Sequence, residues 1–355
     1  MKNVCFFNTV KFWGGGEKLH LEHAVEFKKR GYKIFFVTNK KAILRDKIKD
    51  NELIPYYISI SNLSFFNPLK ILKLYFFYKR NKIDTVVFST SHDLKTGSIA
   101  AKFAQVNNIV YLRGLAVPIK NNIINRFIFK NVLTKIVANS IETKKTILKN
   151  LNSVIDSNKI DVVYHGIETE QYSLTNSSKN EFINKYAKGL IIGNAGRLTN
   201  QKGQKYLIDI AKELKNRKIS FTIFIAGTGE LESILQEEIL KNDLSQQIYL
   251  MGFVDEMDSF MNSIDIFVLT SIWEGFGYVL TEALLKQKPV VCFNTSSNPE
   301  IIKENHNGFL VDFPNIYEFA NRIELLANDV SLKTKMGENG LKDVKLRFNF
   351  SNQVT

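Results

Sequence analysis

The sequence is poor in cysteine, with only Cys5 and Cys292 among 355 residues. Both stand in strand-like apolar runs (VCFF and VVCF), read as buried thiols, and neither belongs to a C-x-x-C pair. That leaves no disulfide framework and no cysteine zinc site, and it fits a reducing cytoplasm. No uninterrupted apolar run reaches the roughly 18 residues needed to span a bilayer. The N-terminus passes from Lys2 through a few apolar residues to Asn8, too short a stretch for a signal peptide. There is no G-x-G-x-x-G with an acidic residue ending the second strand, which argues against a nicotinamide cofactor. The GK[ST] of a P-loop is missing too, which argues against ATP hydrolysis. Zinc fingers, RNP-type aromatics and an Arg-rich recognition helix are absent, so no nucleic-acid partner is expected.

What is there is a globular composition, 45% hydrophobic and 23% charged, in a chain long enough for two domains. The net charge of +13 is one-sided. Residues 1–177 carry 28 Lys and Arg against 13 Asp and Glu, while residues 178–355 carry 20 against 22. The first half therefore faces something anionic, with a bilayer surface the leading candidate.

Short apolar runs alternate with helical stretches. The first half suggests strands at Asn3–Phe7, Lys33–Thr38, Thr85–Ser89, Asn108–Leu112, Lys135–Asn139 and Lys159–Tyr164, with helices between them, among them Pro68–Arg80 and Asn121–Leu133. The second half suggests strands at Leu190–Ala195, Thr222–Ala226, Ile248–Met251, Asp265–Leu269, Pro289–Phe293 and Gly308–Val311. Strict β/α alternation with apolar strands implies parallel sheets covered on both faces, here two Rossmann-like domains. The expected division is 1–170, a polar linker 171–188 around Thr175–Asn180, a second domain 189–345, and a tail 346–355 that starts back toward the first domain.

Four loops at strand ends carry candidate chemistry. Between Glu274 and Glu282 the chain reads EGFGYVLTE, directly after an apolar strand and opening a helix. Free amides at a helix entrance favour an anion, and glycines let it approach closely. Glu274 in the loop and Glu282 on the helix can flank one ligand bearing phosphate and hydroxyl groups. Gly193–Leu198 follows another strand, with Gln201-Lys202-Gly203 behind it. There Arg197 offers a planar fork and Lys202 a point charge for one diphosphate. Gly227-Thr228-Gly229-Glu230 is a turn at the same sheet edge, and Gly14-Gly15-Gly16 opens a helix after the first strand. Ligands of open parallel sheets bind at the carboxyl ends of strands, where all these loops lie.

Taken together, GGGEK near the start, HGIE at 165–168, GRL…QKG at 196–203, AGTGE at 226–230, GFVDE at 252–256, EGFG…E at 274–282 and NGFLV at 307–311 resemble the family-4 type of retaining glycosyltransferases. The resemblance extends over nearly the whole chain and implies the GT-B fold, two Rossmann-like domains facing each other across a cleft. It also implies a nucleotide-diphosphate sugar donor, a UDP-sugar favoured and a GDP-sugar second. Arg197 and Lys202 would bind its diphosphate, assisted by the Gly275, Phe276 and Gly277 amides, with Gly227 at the same edge. Glu282 would take ribose hydroxyls and Glu274 would stand beside the transferred sugar. Gly15 and Gly16 would close over the diphosphate. Departing diphosphate gains negative charge and the sugar positive charge, which fixed cations and a carboxylate stabilise. With Arg197 and Lys202 in place and no DxD pair at a strand end, no metal and no cofactor are expected.

Relatives commonly have a histidine where Tyr111–Gly114 ends a strand; this chain has Arg113 there, with His92 on the preceding loop as an alternative imidazole. The usual Asn-Gly-(Val/Ile)-Asp hinge reads His165-Gly166-Ile167-Glu168. His92, Arg113 and His165 are therefore the acceptor-site candidates. Ser64–Lys82 and Asn121–Lys135 interleave aromatic and basic residues at helical spacing, fitting either ordinary sheet-covering helices or an interfacial helix on an anionic leaflet. The expectation is a glycosyltransferase of cell-surface polysaccharide or lipopolysaccharide synthesis, peripheral on the cytoplasmic face of the membrane, with a saccharide or lipid-linked acceptor. A nucleotide-sugar epimerase and a non-enzymatic membrane-binding protein are the competing readings.

Overall fold

The computed structural model describes residues 2–167 and 179–349. It divides into two compact units, Met1–Val163 and Tyr164–Thr355. In the first unit the elements are β1 (Asn3–Phe7), α1 (Gly15–Lys29), β2 (Lys33–Thr38), α2 (Leu44–Asp50), β3 (Ile54–Tyr57), α3 (Pro68–Arg80), β4 (Thr85–Phe88), α4 (Ser91–Phe103) and β5 (Asn108–Arg113). They continue as α5 (Ile123–Phe127), a π-helical turn at Ile128–Val132, β6 (Lys135–Ala138), α6 (Ile141–Leu151) and β7 (Ile160–Val162). All seven strands are parallel, in the order β3-β2-β1-β4-β5-β6-β7. The β2 run KIFFVT is buried from Ile34 to Thr38, as a strand covered on both faces must be. The edge strand β3 is only partly buried and tolerates Pro55, because an edge position can lack one amide. That weak signal hid β3 and α2 from the periodicity.

The second unit holds α7 (Glu181–Tyr186), β8 (Leu190–Ala195), α8 (Lys205–Asn216), β9 (Phe221–Ala226), α9 (Glu232–Lys241), β10 (Ile248–Leu250), α10 (Met257–Ser263) and β11 (Ile266–Leu269). After these come α11 (Tyr278–Leu285), β12 (Val290–Phe293), α12 (Asn298–Ile301), β13 (Gly308–Val311), α13 (Ile316–Asn328) and α14 (Val330–Arg347). Its six parallel strands run β10-β9-β8-β11-β12-β13. Each sheet reverses its winding once, beside β1 and beside β8, and those reversals open a crevice at the strands' carboxyl ends.

Of the expected linker 171–188, residues 171–178 lie outside the described residues, as does Glu168. Glu181–Tyr186 is a helix capped by Asn180, with Ile183 fully buried against the second core. Of the expected tail, 350–355 also lies outside the described residues, while Ile167 donates its amide to the Phe348 carbonyl at 2.7 Å within the second unit. Phe348 is buried against Tyr164 and Phe276. Cys5 and Cys292 are fully buried free thiols, and burial raises both pKa values. Among the described residues, no helix is long and apolar enough to cross a membrane.

Candidate active site

The crevice of the second sheet lies between the loops leaving β8 and β11. The β8 loop ends in a single 3₁₀ turn, Asn200–Lys202, closed by Gly203 in the left-handed conformation (φ 64°). A Cβ on Gly203 would stand 2.2 Å from the Thr270 carbonyl oxygen, so only glycine lets the two loops meet there. The contact is then sewn by hydrogen bonds. The Ile272 amide donates to the Gln201 carbonyl at 2.8 Å, the Gln201 side chain to the Trp273 carbonyl at 3.0 Å, and the Thr270 hydroxyl to the Lys202 carbonyl at 3.3 Å.

These loops bring Lys202 and Glu274 together. Lys202 Nζ lies 2.6 Å from Glu274 Oε1, with side-chain exposures of 17% and 7%. The Ser271 hydroxyl donates to the same oxygen at 2.6 Å. The Glu274 carbonyl accepts from Ser296 at 2.7 Å and Ser297 at 3.2 Å. Ser296 adopts a left-handed backbone (φ 51°), an unfavourable conformation of the kind that concentrates at functional sites. Sequence reasoning placed Lys202 and Glu274 in one site but missed that they pair. It missed Ser271, Ser296 and Ser297 altogether; the S-S-N-P run after β12 was the available signal.

Arg197 is exposed on the β8 loop, and its guanidinium has no partner among the described residues. The stem of Lys202 passes about 3.5 Å from where a Cβ on Gly196 would be. Gly227, at the end of β9, is equally constrained: its φ is 140° and a Cβ would stand 2.0 Å from the Gly196 carbonyl oxygen. Gly227 thus shapes the Arg197 loop through backbone contact. Gly275 and Gly277 are buried, and Gly277 (φ 78°) is the N-cap of α11 with no capping side chain. The first amides of α11 therefore receive no side-chain oxygen from their cap, an arrangement suited to an anion.

Glu282 is partly buried on α11. Phe276 is 1% exposed and packs its ring on Tyr278 and Phe348, so the side chain is core and only its backbone remains available to a ligand. Gly337 and Gly340 of α14 hold α11 in place; a Cβ at either would meet Gln287 or Leu284 at 2.1 and 2.6 Å. His165 stands edge-on to Tyr278 with ring centroids 4.3 Å apart, beside the entrance of α11 rather than in the first unit.

In the first unit, Gly15 and Gly16 form the exposed start of α1, where an added Cβ would meet nothing within 4 Å. His92 Nε2 is 3.5 Å from Asp93 Oδ1 and 3.4 Å from the Thr9 hydroxyl. Asp93 is fully buried and accepts the Thr9 amide at 2.9 Å, the Thr9 hydroxyl at 2.5 Å and the Thr90 hydroxyl at 2.7 Å, which joins the β1 loop to the β4 loop. Arg113, at the end of β5, is 7% exposed and donates to the Tyr111 hydroxyl at 3.0 Å and the Val117 carbonyl at 2.9 Å.

Two parallel doubly wound sheets, with the cation–carboxylate loops at the reversal of the second, define an α/β protein of the GT-B fold. A solved Anabaena structure, Alr3699/HepE in complex with UDP and glucose, superimposes with a TM-score of 0.85 at 19% identity, covering 100% of this chain and 97% of that one. Residues 176–343 match the family described as Glycosyl transferases group 1, and residues 13–171 match Glycosyltransferase Family 4. An uncharacterized glycosyltransferase of Methanocaldococcus jannaschii, MJ1178, is 31% identical over 264 residues, 73% of this chain and 69% of that protein. The Staphylococcus aureus capsular polysaccharide biosynthesis glycosyltransferase CapM is 28% identical over 313 residues, 84% of this chain and 82% of that protein. The Escherichia coli UDP-Gal:alpha-D-GlcNAc-diphosphoundecaprenol alpha-1,3-galactosyltransferase is 26% identical over 308 residues, 82% and 79% of the two chains. The chain belongs to this group 1, family-4-type family of glycosyltransferases and is itself a glycosyltransferase.

Proposed function

We propose that the protein transfers a sugar from a UDP-sugar to a lipid-linked or saccharide acceptor in cell-surface polysaccharide or lipopolysaccharide synthesis, with retention at the anomeric carbon and without a metal. The observation that carries the reading is the Lys202–Glu274 pair at the sheet reversal, next to Arg197 and the uncapped entrance of α11. A lysine ammonium has three N–H donors, and Glu274 takes one. The other two, with the Arg197 fork and the α11 amides, hold the diphosphate and stabilise its charge as it departs. Glu274 keeps its second oxygen for the positive charge that develops on the sugar. Glu282, on α11, takes the ribose hydroxyls. His92 and Arg113 of the first unit serve the acceptor.

The UDP preference draws on the UDP in the HepE complex and on the UDP-Gal named for the E. coli relative. The acceptor class draws on the capsular polysaccharide and diphosphoundecaprenol of the two relatives' names. Attachment is peripheral, to the anionic cytoplasmic leaflet. α3 buries Leu74, Phe77 and Tyr78 on its sheet side, yet exposes Leu69, Leu72 and Phe76 with Lys73, Lys79 and Arg80. That is an apolar stripe with a basic rim, suited to an anionic interface.

Incubation with UDP- and GDP-sugars, with a lipid-diphosphate saccharide, in EDTA is the test. The expected product is a glycoside formed from one UDP-sugar with its anomeric configuration retained. Inversion, dependence on added manganese or magnesium, or free epimerised sugar in place of transfer would refute it.

A further inference from the structure

A second polar site lies wholly within the first unit, at the carboxyl ends of β4 and β5. A cavity of about 220 Å³ is lined by Ser91, Lys95, Tyr111, Arg113, Lys120 and Asn122 among others, and none of its lining residues is acidic. Its volume is that of roughly seven water molecules. Arg113 is 7% exposed, its Nε is buried without a hydrogen-bond partner, and no carboxylate among the described residues pairs with it. A guanidinium cannot shed its proton, so burying one without a counter-charge is costly. The remaining contacts are all to neutral oxygens. Arg113 donates to Tyr111, whose hydroxyl lies 3.3 Å from the Ser91 hydroxyl. Because Tyr111 already accepts from Arg113, its own proton is available to Ser91, and the Ser91 proton is left for a ligand. Ser91 is the first residue of α4, whose entrance is already capped by Thr90 and carries Asp93 in its first turn, so what it offers the cavity is its hydroxyl. Lys95 and Lys120 add two cations that make no ion pair among the described residues.

We infer that this cavity binds the phosphate or diphosphate of the acceptor, which supplies the counter-charge that Arg113 lacks. Calling the ligand an acceptor group rests on the proposed transferase function; the anion site itself rests only on the cavity and its charges. Lys95 and Lys120 reach the outer oxygens, and the Arg113–Tyr111–Ser91 chain fixes the inner ones. No covalent step occurs in the cavity.

The test titrates inorganic pyrophosphate by calorimetry into the full-length protein saturated with UDP, so that the second unit's diphosphate site is already filled. One further equivalent should bind. Lys95→Gln with Lys120→Gln should raise its dissociation constant about 10- to 100-fold, the loss expected for charge-assisted hydrogen bonds, with UDP affinity unchanged. Arg113→Gln should do the same; the surface double variant keeps the result interpretable if that buried change unfolds the protein. A short-chain isoprenyl diphosphate that binds more tightly than pyrophosphate, and is lost in the same variants, identifies a lipid-linked source. Equal affinity identifies a free phosphate group. No pyrophosphate binding beyond UDP, or binding indifferent to these substitutions, would overturn the inference. Failure of UDP itself to bind would count against the proposed donor, and a pyrophosphate site sensitive to Lys95 and Lys120 would still stand.

Discussion

Replacing Lys202 with methionine separates what the Lys202–Glu274 pair does for the fold from what it does for transfer. The pair is short, 2.6 Å, and its members are 17% and 7% exposed. Methionine keeps the stem that lies along Gly196 but leaves the Glu274 carboxylate buried with Ser271 as its remaining side-chain donor. Breaking a buried ion pair from one side costs about 3–5 kcal/mol, and the partial exposure of Lys202 puts the expected cost at the low end, about 3 kcal/mol. In a unit of this size that lowers Tm by roughly 6–12 °C. Glu274→Gln should cost less, about 1–2 kcal/mol, because the lysine left behind reaches water. The double variant removes both charges and should be only about 2 kcal/mol less stable than the wild type, where the parents sum to about 4–5 kcal/mol; that is a coupling of about 2–3 kcal/mol, in the range seen for contacting residues. Transfer should behave differently: each single variant and the double lose about two to three orders of magnitude, with no recovery. Calorimetric melting and the transfer rate with the preferred donor read the two quantities separately. A double variant as unstable as the sum of its parents would show the pair to be uncoupled. A Lys202→Met enzyme within tenfold of wild-type rate would remove Lys202 from the diphosphate.

Two other outcomes follow from the first unit. His20 is buried on α1 between the rings of Phe6 and Phe36 with neither ring nitrogen hydrogen-bonded, and burial, then the nearby His23, pushes its pKa down to about 3. Burial pushes His23 to about 4, opposed by its backbone bond to Leu19. In the unfolded chain each imidazole takes up its proton near 6.5, so the stability these groups contribute is complete above that pH and is lost as pH falls toward 3–4. Between pH 7 and 5 the unfolding free energy should drop by about 2 kcal/mol per histidine, and His20→Leu should remove one share; a pH-independent Tm, or a variant with an unchanged slope, would contradict it. For the membrane, the wild type should co-sediment with phosphatidylglycerol vesicles at low salt, and the triple change Leu69→Ser, Leu72→Ser, Phe76→Ser should abolish this; no binding by the wild type would sink the attachment.

Much of the fold was legible because parallel strands covered on both faces leave uninterrupted apolar runs such as FTIFIA at β9. The edge strand β3 was not, since partial burial and Pro55 erase that signature. At the site, glycines and charges at strand ends pointed to loops that the fold brings side by side, but spacing along the chain could not show which charges touch. Lys202 and Glu274 are 72 residues apart and meet only because Gly203 allows the β8 loop against Thr270. Phe276 was expected to offer a ligand only its amide; that its ring fills the core next to Phe348 could not be read from the motif. The Arg113 cavity was invisible because its cations come from α4, β5 and the following loop, and spacing does not show that they line one space.

In the proposed function the second unit holds a nucleoside diphosphate through Arg197, Lys202 and the α11 entrance, without a metal. Calorimetric titration of UDP in EDTA, comparing the wild type with Arg197→Gln, tests it most directly. One site that needs no divalent ion is expected, weakened about 10- to 100-fold by the substitution. Binding that appears only with manganese or magnesium, or that ignores the loss of Arg197, would contradict it.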